Sequence, residues 1–335
     1  MIRSEISEEL KEAKHAAVNQ FMDRVLGRRQ DLTWAVRAHP HHNVVGVGIG
    51  RKIKQGRSTK KNCVRLYVEN KIPLNSIPRD FLLPERIGNV VTDVIETGLF
   101  RALQGGVPAN QKRLRPARPG CSIGFQFPKA QAGELMAGTF GAMVTANGDR
   151  YVLSNNHVLA NENALPIGTA IFQPGLLDGG NPFKDQIATL AAFVPLNADK
   201  PNLVDCALAK VLDGATVSSK MMPKIGQLAS AEPIEAAEGM QVEKTGRATG
   251  YTTGTVFEVA ATIAVQFDLG MLTFENQLMI RSDAGVFSDG GDSGAIVVDR
   301  ESGRATGLLI GGVSQFAIAN HISDVLQALN VQLIR

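Results

Sequence analysis

The chain has 335 residues, of which 44% are hydrophobic and 20% are charged, so it is long enough for two domains with ordinary apolar cores. No apolar run reaches the roughly 18 residues of a membrane span, charges come too early for a signal peptide, and the three distant cysteines form no disulfide or zinc pattern. We therefore expect a cytoplasmic protein with reduced thiols, no bound metal and no membrane contact. The 34 glycines and the aromatic content of 5% favour short strands and turns over long helices.

The charge is distributed unevenly along the chain. Residues 1–118 contain 22 basic and 11 acidic residues, for a net charge of +11, whereas residues 119–335 have a net charge of −8. The simplest interpretation is that the two parts attract each other, and the alternative is a basic surface for an acidic partner. Because no aromatic interleaving or known recognition motif accompanies the basic residues, we do not expect nucleic acid as a partner.

The first hundred residues predict a small α+β module. Residues 4–30 follow an amphipathic helical pattern, with Ser4 as the N-cap and acidic residues in the first turns. Three alternating segments then predict strands: NVVGVGIGRKI, NCVRLYVEN and NVVTDVIETG. Residues 101–118 are rich in Gly, Pro and basic residues, as is typical of a linker. The predicted domains are therefore the module (1–100), a basic linker (101–118) and a third segment (119–335).

The segment after residue 119 predicts an all-β domain. Short β-type runs recur between turn signals, among them CSIGFQF, GTFGAMVTA, RYVLSNNHVLA, VDCALAKV, MQVEKTG, SGAIVVD and ATGLLIGG. Regular short strands without intervening helices indicate a barrel or a sandwich. The last segment, SDVLQALNVQLI, predicts a closing helix.

A glycine-rich turn, SDGGDSGAIVVD, places Ser293 between an acid and a glycine. A serine nucleophile needs a base within hydrogen-bond reach and an acceptor that orients this base. His157 follows a predicted strand–turn–strand unit that would hold its imidazole steadily. Asp205 lies in the apolar segment NLVDCALAKV, where a carboxylate is costly to bury unless it is paired. The order His157, Asp205, Ser293 predicts a nucleophilic triad, and the alternative is that His157 and Asp205 are ordinary surface residues.

The segments HVLA, VDCALA and GDSG resemble the three catalytic blocks of chymotrypsin-like serine proteases. More closely, RYVLSNNHVLANENALPIGTAIFQPGLLDGG and VEKTGRATGYTTGTV are similar to intracellular bacterial trypsin-like peptidases related to the plant Narrow Leaf 1 protease. The resemblance implies a mainly β fold, a chymotrypsin-like double β-barrel preceded by the small α+β module. It also implies a serine endopeptidase with His157 as base, Asp205 as its orienting acid and Ser293 as nucleophile, in the cleft between the barrels.

The backbone around Ser293 is a candidate oxyanion hole. Gly291 gives the chain the freedom to direct the N–H groups of Gly291 and Ser293 towards one point. Unlike the extracellular members, the chain has Gly294-Ala295-Ile296 after the serine motif and lacks paired cysteines. More than 100 residues precede the protease segment, so a freed N-terminus that pairs with Asp292 is not expected. We expect the active conformation to depend on the N-terminal module or on a homo-oligomer.

The resemblance also places a substrate pocket. In the proteases that the chain resembles, the base of the primary pocket lies six residues before the serine, which here is Phe287, followed by Ser288. The segment LLIGGV, which includes Ile310 and Gly311, is expected to form one wall. Since no acid lies at the base, we expect cleavage after apolar or small residues of a protein or peptide substrate, without a cofactor.

Three alternatives stay open. Ser293, Asp299 and His321 have the chain order of an α/β-hydrolase triad, although the segment lacks the alternating helices of that fold. A two-barrel fold can also serve as a catalytically silent interaction module. The motif HPHH (39–42) is a possible metal site, but no nearby Cys or acid completes it, so a solvated turn is the simpler interpretation.

Overall fold

The computed structural model describes residues 6–22, 43–54, 57–98, 100–101, 109–128, 134–313 and 315–335. The helices are α1 (Glu8–Phe21), α2 (Asn156–Leu159) and α3 (Ile322–Leu329), with 3-10 turns at Leu74–Ser76, Arg79–Phe81, Ala109–Gln111 and Leu176–Asp178. The strands are β1 (Val44–Lys54), β2 (Arg57–Val68), β3 (Arg86–Ile87), β4 (Val90–Glu96), β5 (Phe100–Arg101), β6 (Ser122–Ile123), β7 (Gly138–Thr139), β8 (Ala142–Ala146), β9 (Asp149–Ser154), β10 (Ala170–Phe172), β11 (Gln186–Phe193), β12 (Ala207–Val211), β13 (Gln241–Gly246), β14 (Gly250–Phe267), β15 (Gly270–Ser282), β16 (Ile296–Asp299), β17 (Ala305–Val313), β18 (Phe316–His321) and β19 (Gln332–Leu333). None of the described helices is long and apolar enough to span a membrane.

The C-terminal strands close into a barrel. Strands β13, β16, β17, β18, β15 and β14 pair in this order, and β13 also pairs with β14, so the six strands form a ring. All of these pairings are antiparallel. The long β14–β15 ribbon has register shifts between residues 256 and 263, and such bulges bend a strand and increase its twist.

We call this C-terminal ring the second barrel. The first barrel precedes it in the chain and is formed by a six-stranded sheet with the order β10-β11-β12-β9-β8-β19. A bridge between Gly124 and Phe172 joins the end of β6 to this sheet. Its last strand, β19, follows α3 and pairs with β8, so the C-terminal segment connects the two barrels. The predicted fold class, two β-barrels preceded by a small α+β module, is confirmed.

Apolar side chains hold the two barrels against each other. A buried cluster combines residues of β8, β9 and β12 with residues of β16, β17 and α3. Its members include Ala142, Val144, Leu153, Leu208, Ile296, Val298, Leu308, Val325 and Leu326. Because burial of apolar surface is the main favourable term in folding, this cluster fixes the relative position of residues that the two barrels contribute to any shared site.

The small module continues the sheet of the second barrel. Strand β1 pairs antiparallel with β14 and with β2, and β2 pairs parallel with β4. Helix α1 covers these strands with a buried face that consists of Leu10, Ala13, Ala17 and Phe21. The helix begins after Ser7, whose hydroxyl accepts a hydrogen bond from the Leu10 N–H at 3.4 Å; Ser4, the predicted N-cap, lies outside the described residues. Strand β5, at the start of the predicted linker, pairs with β14 and β17.

Two glycines of β1 leave room for buried polar side chains. A Cβ atom at Gly48 would overlap the carboxylate of Glu258, and one at Gly50 would overlap the guanidinium of Arg65. Glu258 accepts a hydrogen bond from the Tyr67 hydroxyl and lies beside Arg65, and all three side chains are buried. Gly48 and Gly50 therefore make space for an ionic cluster between β1, β2 and β14.

Substitution of Gly48 tests this explanation. Gly48→Ala is expected to lower the free energy of unfolding by about 3 kcal/mol, because the added methyl group would displace a buried, hydrogen-bonded carboxylate. Urea denaturation of the full chain measures the change. Lys60→Ala, at an exposed position of β2, serves as the control and should change stability by less than about 0.5 kcal/mol. Equal unfolding midpoints for Gly48→Ala and the parent would contradict the explanation.

Candidate active site

His157 and Asp205 form a buried pair at one end of the first barrel. The His157 Nδ1 atom lies 2.5 Å from Asp205 Oδ2. The other carboxylate oxygen, Oδ1, accepts the backbone N–H groups of Asn156 at 2.7 Å and of His157 at 3.3 Å. Asp205 precedes β12 and does not lie within a strand, and it is fully buried. Its carboxylate is thus paired, which is the condition for burying such a group.

Two asparagines bind the backbone of Asp205. The Asn155 side-chain amide donates to the Asp205 carbonyl at 2.7 Å, and the Asp205 N–H donates to Asn320 Oδ1 at 3.0 Å. Asn155 precedes α2 in the first barrel, whereas Asn320 belongs to β18 of the second. The position of the acid is therefore set by both barrels.

The surroundings of His157 favour its protonated form. Burial lowers the pKa of this imidazole, but the charge of Asp205 and the hydrogen bond to it outweigh burial, and the nearby Glu162 carboxylate acts in the same direction, so the pKa is raised above its usual value. The ring of Phe267, from the second barrel, lies edge-on with its centroid 5.6 Å away. The His157 Nε2 atom is buried and has no hydrogen-bond partner among the described residues.

Ser293 belongs to the second barrel but contacts the first. Its carbonyl accepts the Thr139 N–H at 2.9 Å. A Cβ atom at Gly138 would lie 2.6 Å from a methyl group of Val158, the neighbour of His157, and 3.2 Å from the Ser293 carbonyl oxygen. Gly138 thus lies against both Val158, the neighbour of His157, and the backbone of Ser293.

The hydroxyl of Ser293 donates a hydrogen bond to the Ile310 carbonyl at 2.8 Å. The structure therefore shows the bond between His157 and Asp205 but not a bond between Ser293 and His157. Rotation about the Ser293 Cα–Cβ bond is the movement by which the hydroxyl would leave Ile310. Hydrogen bonds of catalytic groups are often made only when a substrate is bound.

The two glycines that flank the Asp292–Ser293 pair have a conformation that only glycine adopts readily. Gly291 and Gly294 have φ angles of +99° and +90°, a region that L-residues rarely occupy. The Gly291 carbonyl accepts a hydrogen bond from the Thr139 hydroxyl at 2.8 Å. Within the described part of the chain, the N–H groups of Gly291 and Ser293, the two predicted oxyanion-hole donors, donate to no protein acceptor.

A buried lysine pairs with the acid in the same loop. Asp292 lies between Gly291 and Ser293 and is fully buried. Its carboxylate lies 2.9 Å from Nζ of Lys244 in β13, which is equally buried. The carboxylate also accepts the N–H groups of Ala248 at 2.7 Å and of Thr249 at 3.1 Å. Burial lowers the pKa of Lys244, and Asp292 partly opposes this effect. Asp292 is thus paired with a cation from its own chain.

A second buried ion pair lies beside Gly291. Arg247 Nε and Nη2 bind the two carboxylate oxygens of Asp178 at 2.6 and 2.7 Å. A Cβ atom at Gly291 would overlap the Arg247 guanidinium, and the Arg247 N–H donates to the Thr139 hydroxyl at 2.9 Å. Neither Lys244 nor Arg247 is apparent as a site residue from the sequence. The available signal is that VEKTGRATG places two basic residues in a segment with a strand pattern.

Of the residues predicted for the substrate pocket, Ile310 contacts Ser293 directly. Ile310 and Gly311 belong to β17, and Ile310 accepts the Ser293 hydroxyl. The Ser288 hydroxyl has no hydrogen-bond partner among the described residues, and a Cβ atom at Gly312 would lie 2.7 Å from it. Phe287 is 1% exposed and packs in the apolar core. The role of these residues in substrate binding stays a prediction.

The structure does not bring the alternative triad together. Asp299 accepts hydrogen bonds from the Ser302 N–H and hydroxyl at 2.9 and 2.6 Å. His321 Nε2 lies 2.8 Å from the Val259 carbonyl, whereas Ser293 binds Ile310. The HPHH motif lies outside the described residues, and within those that are described no group of three or more His, Cys, Asp or Glu side chains could hold a metal ion.

Comparison with known proteins gives one family match and several similar structures. Residues 191–320 match the family model described as the Nal1 C-terminal domain; this segment contains Asp205 and Ser293 but not His157. No curated protein matches the chain. Similar solved structures include a glutamic acid specific serine protease (18% identity, TM-score 0.46, covering 65% of this chain and 100% of that chain), Cellulomonas bogoriensis chymotrypsin (18%, 0.45, 65% and 98%) and Nocardiopsis protease (17%, 0.47, 65% and 100%).

Proposed function

We propose that the chain is a serine endopeptidase that hydrolyses peptide bonds through His157, Asp205 and Ser293. The observation that carries this proposal is the buried His157–Asp205 pair, whose Nε2 atom has no partner among the described residues, at the junction where the backbone of Ser293 meets the first barrel. A base oriented by a buried acid beside a serine is the arrangement that acyl transfer requires.

The proposed reaction proceeds in two halves. Ser293 Oγ leaves the Ile310 carbonyl and attacks the substrate carbonyl carbon, while its proton passes to His157 Nε2. His157 then gives this proton to the leaving amine, the C–N bond breaks and an acyl-enzyme ester remains. A water molecule, deprotonated by His157, attacks the ester, and the proton returns to Ser293 Oγ as the C–O bond breaks.

Asp205 and the backbone N–H groups of the serine loop stabilise the charges that develop during these steps. Asp205 keeps the His157 Nδ1–H in place and stabilises the imidazolium that forms after proton transfer. The N–H groups of Gly291 and Ser293 stabilise the oxyanion, because donors fixed in advance cost no reorganisation during reaction. Lys244 and Arg247 position this loop through Asp292 and Asp178, so the proposed enzyme needs no proteolytic activation step.

The proposed substrates are intracellular proteins or peptides, with apolar or small residues before the cleaved bond. This preference depends on the segment Phe287–Ser288 and on the strand wall of Ile310 and Gly311, which together present no acidic side chain. Digestion of a peptide library by the full chain, followed by mass spectrometry, tests the activity and the preference together. Absence of cleavage would contradict the proposal, and dominant cleavage after Arg or Lys would contradict the pocket alone.

One observation favours a second candidate function, a catalytically silent interaction module. The Ser293 hydroxyl is bound to Ile310 and not to His157, which is the arrangement that a silent site would retain. The two candidates differ in a direct way, because a silent module would bind peptides without hydrolysing them. The same library, analysed for bound as well as cleaved peptides, distinguishes them.

The pH dependence of the reaction follows from the state of His157. Only the neutral imidazole can accept the serine proton, so kcat/KM should fall as the pH decreases and His157 becomes protonated. Because the pKa of His157 is raised, the midpoint of this fall should lie at a higher pH than the usual imidazole pKa of about 6.5. Glu162→Gln removes a charge that raises this pKa and should shift the limb to lower pH. If kcat/KM of Glu162→Gln and of the parent fell at the same pH, the assignment of this fall to His157 would be contradicted.

A further inference from the structure

A cavity of about 260 Å³ lies where the small module meets the second barrel. Its walls include Arg51 and Arg65 from the module strands and Phe257 and Arg281 from the β14–β15 ribbon. None of the residues assigned to the triad, the oxyanion hole or the substrate pocket lines it. We call it the arginine cavity.

Arg65 is built into the wall of the arginine cavity. The residue is 1% exposed, its Nη1 donates to the Phe257 carbonyl at 2.8 Å, and its Nη2 donates to the Arg51 carbonyl at 2.7 Å. Its guanidinium also lies over the Phe257 ring, 4.2 Å from the centroid. Because Gly50 leaves the space for it, the cation is fixed at a site where a buried charge is costly.

The other two arginines of the cavity are exposed, and neither has a carboxylate partner among the described residues. Arg281 lies on the same phenyl ring as Arg65, 5.8 Å from its centroid. Glu238 is the acidic residue of the lining, with one oxygen 3.3 Å from Arg65 Nη2 and the other without a partner in the described part of the chain. The lining thus contains three arginines and one acidic residue.

A further acid, Glu258, lies behind Arg65 and outside the lining, with an oxygen 3.5 Å from Arg65 Nη1. Burial raises the pKa of Glu258 to about 7, so at neutral pH only part of its charge offsets that of Arg65. The lining residues of the arginine cavity therefore carry an excess of positive charge, while two further carboxylates, Asp93 and Asp283, accept hydrogen bonds from lining residues. A phosphoryl group, which carries about −1.5 to −2 at pH 7, matches this excess.

We propose that the arginine cavity binds a phosphoryl group and that the bound group joins the small module to the second barrel. Guanidinium groups present paired donors that match phosphate oxygens. The volume is below the roughly 300–1,000 Å³ of sites for drug-sized ligands, which favours a compact group. Its source is either a free phosphorylated small molecule or a phosphorylated side chain of another protein, since both present the same chemistry.

Isothermal titration of the full chain tests the proposal without reference to peptide hydrolysis. Inorganic pyrophosphate is the first probe, and a phosphoserine tetrapeptide, compared with its unphosphorylated form, is the second. One saturable site is expected for at least one probe. Tighter binding of pyrophosphate indicates a small-molecule source, and tighter binding of the phosphopeptide indicates a protein source.

The variants then place the site. Arg51→Gln/Arg281→Gln should weaken binding at least tenfold, which corresponds to about 1.4 kcal/mol, and it should keep the parent's melting temperature without ligand because both side chains are exposed. Arg150→Gln, at an exposed strand position elsewhere in the fold, should bind as the parent does. Absence of saturable binding for both probes, or equal affinity in the double variant and the parent, would overturn the proposal.

Discussion

Ser293→Ala is expected to lower kcat for peptide hydrolysis by about a million-fold when chemistry limits the rate, because alanine keeps the turn but removes the nucleophile. The substitution deletes one hydrogen bond, from the hydroxyl to the Ile310 carbonyl, so its effect on folding should be small. Single-turnover assays of the full chain on a cleaved peptide measure the rate constant. Equal proteolysis by the variant and the parent would contradict the assignment of the nucleophile.

A double substitution is the control for this result. His157→Ala should cost about as much as Ser293→Ala, and the two together should cost little more than either, because groups that act as a unit are strongly non-additive. If the losses multiplied instead, His157 and Ser293 would act in separate steps, and the proposed proton transfer between them would be wrong.

Lys244→Met is expected to lower the free energy of unfolding by about 3–5 kcal/mol, because it leaves the Asp292 carboxylate buried without a cation. The loss should be accompanied by a fall in kcat, since Asp292 holds the loop that carries both oxyanion-hole donors. Urea denaturation and peptide hydrolysis measure the two effects. A Lys244→Met chain as stable and as active as the parent would show that the loop does not depend on this pair.

The variant Lys244→Arg distinguishes the effect of the charge at position 244 from the effect of side-chain packing. Burial lowers the pKa of Lys244, so the parent should lose activity on the alkaline side as this lysine deprotonates below its usual pKa. Lys244→Arg keeps its charge across this range and should move the alkaline limb to higher pH, at some cost in stability from the larger side chain. An alkaline limb that is identical in the parent and in Lys244→Arg would assign it to another group.

The sequence predicts the positions of the strands along the chain better than it predicts which strands pair with each other. Alternation and turn signals place β1, β2 and β4 within a few residues of where the structure has them. The pairing of β1 with β14 joins segments that are about 200 residues apart, and alternation carries no information about which strands pair. Gly48 and Gly50 of β1 are explained only by Glu258 and Arg65, which reach them from other strands.

The candidate site divides in the same way. His157, Asp205 and Ser293 can be found from the sequence because histidines are scarce and an acid in an apolar segment requires a partner. Lys244 and Arg247 cannot, since a basic residue in a strand pattern usually faces water, and only tertiary packing shows that both are buried. The hydrogen bond of Ser293 to Ile310 depends on one side-chain torsion, which no sequence pattern specifies.

Fluorophosphonate labelling of the full chain, followed by peptide mapping, shows whether Ser293 is an activated nucleophile, because the reagent reacts with an activated serine and not with an ordinary hydroxyl. One adduct is expected, on Ser293, which forms rapidly in the parent and at a strongly reduced rate in His157→Ala. A folded chain that forms no adduct on Ser293, or that forms it equally fast without His157, would contradict the proposed triad.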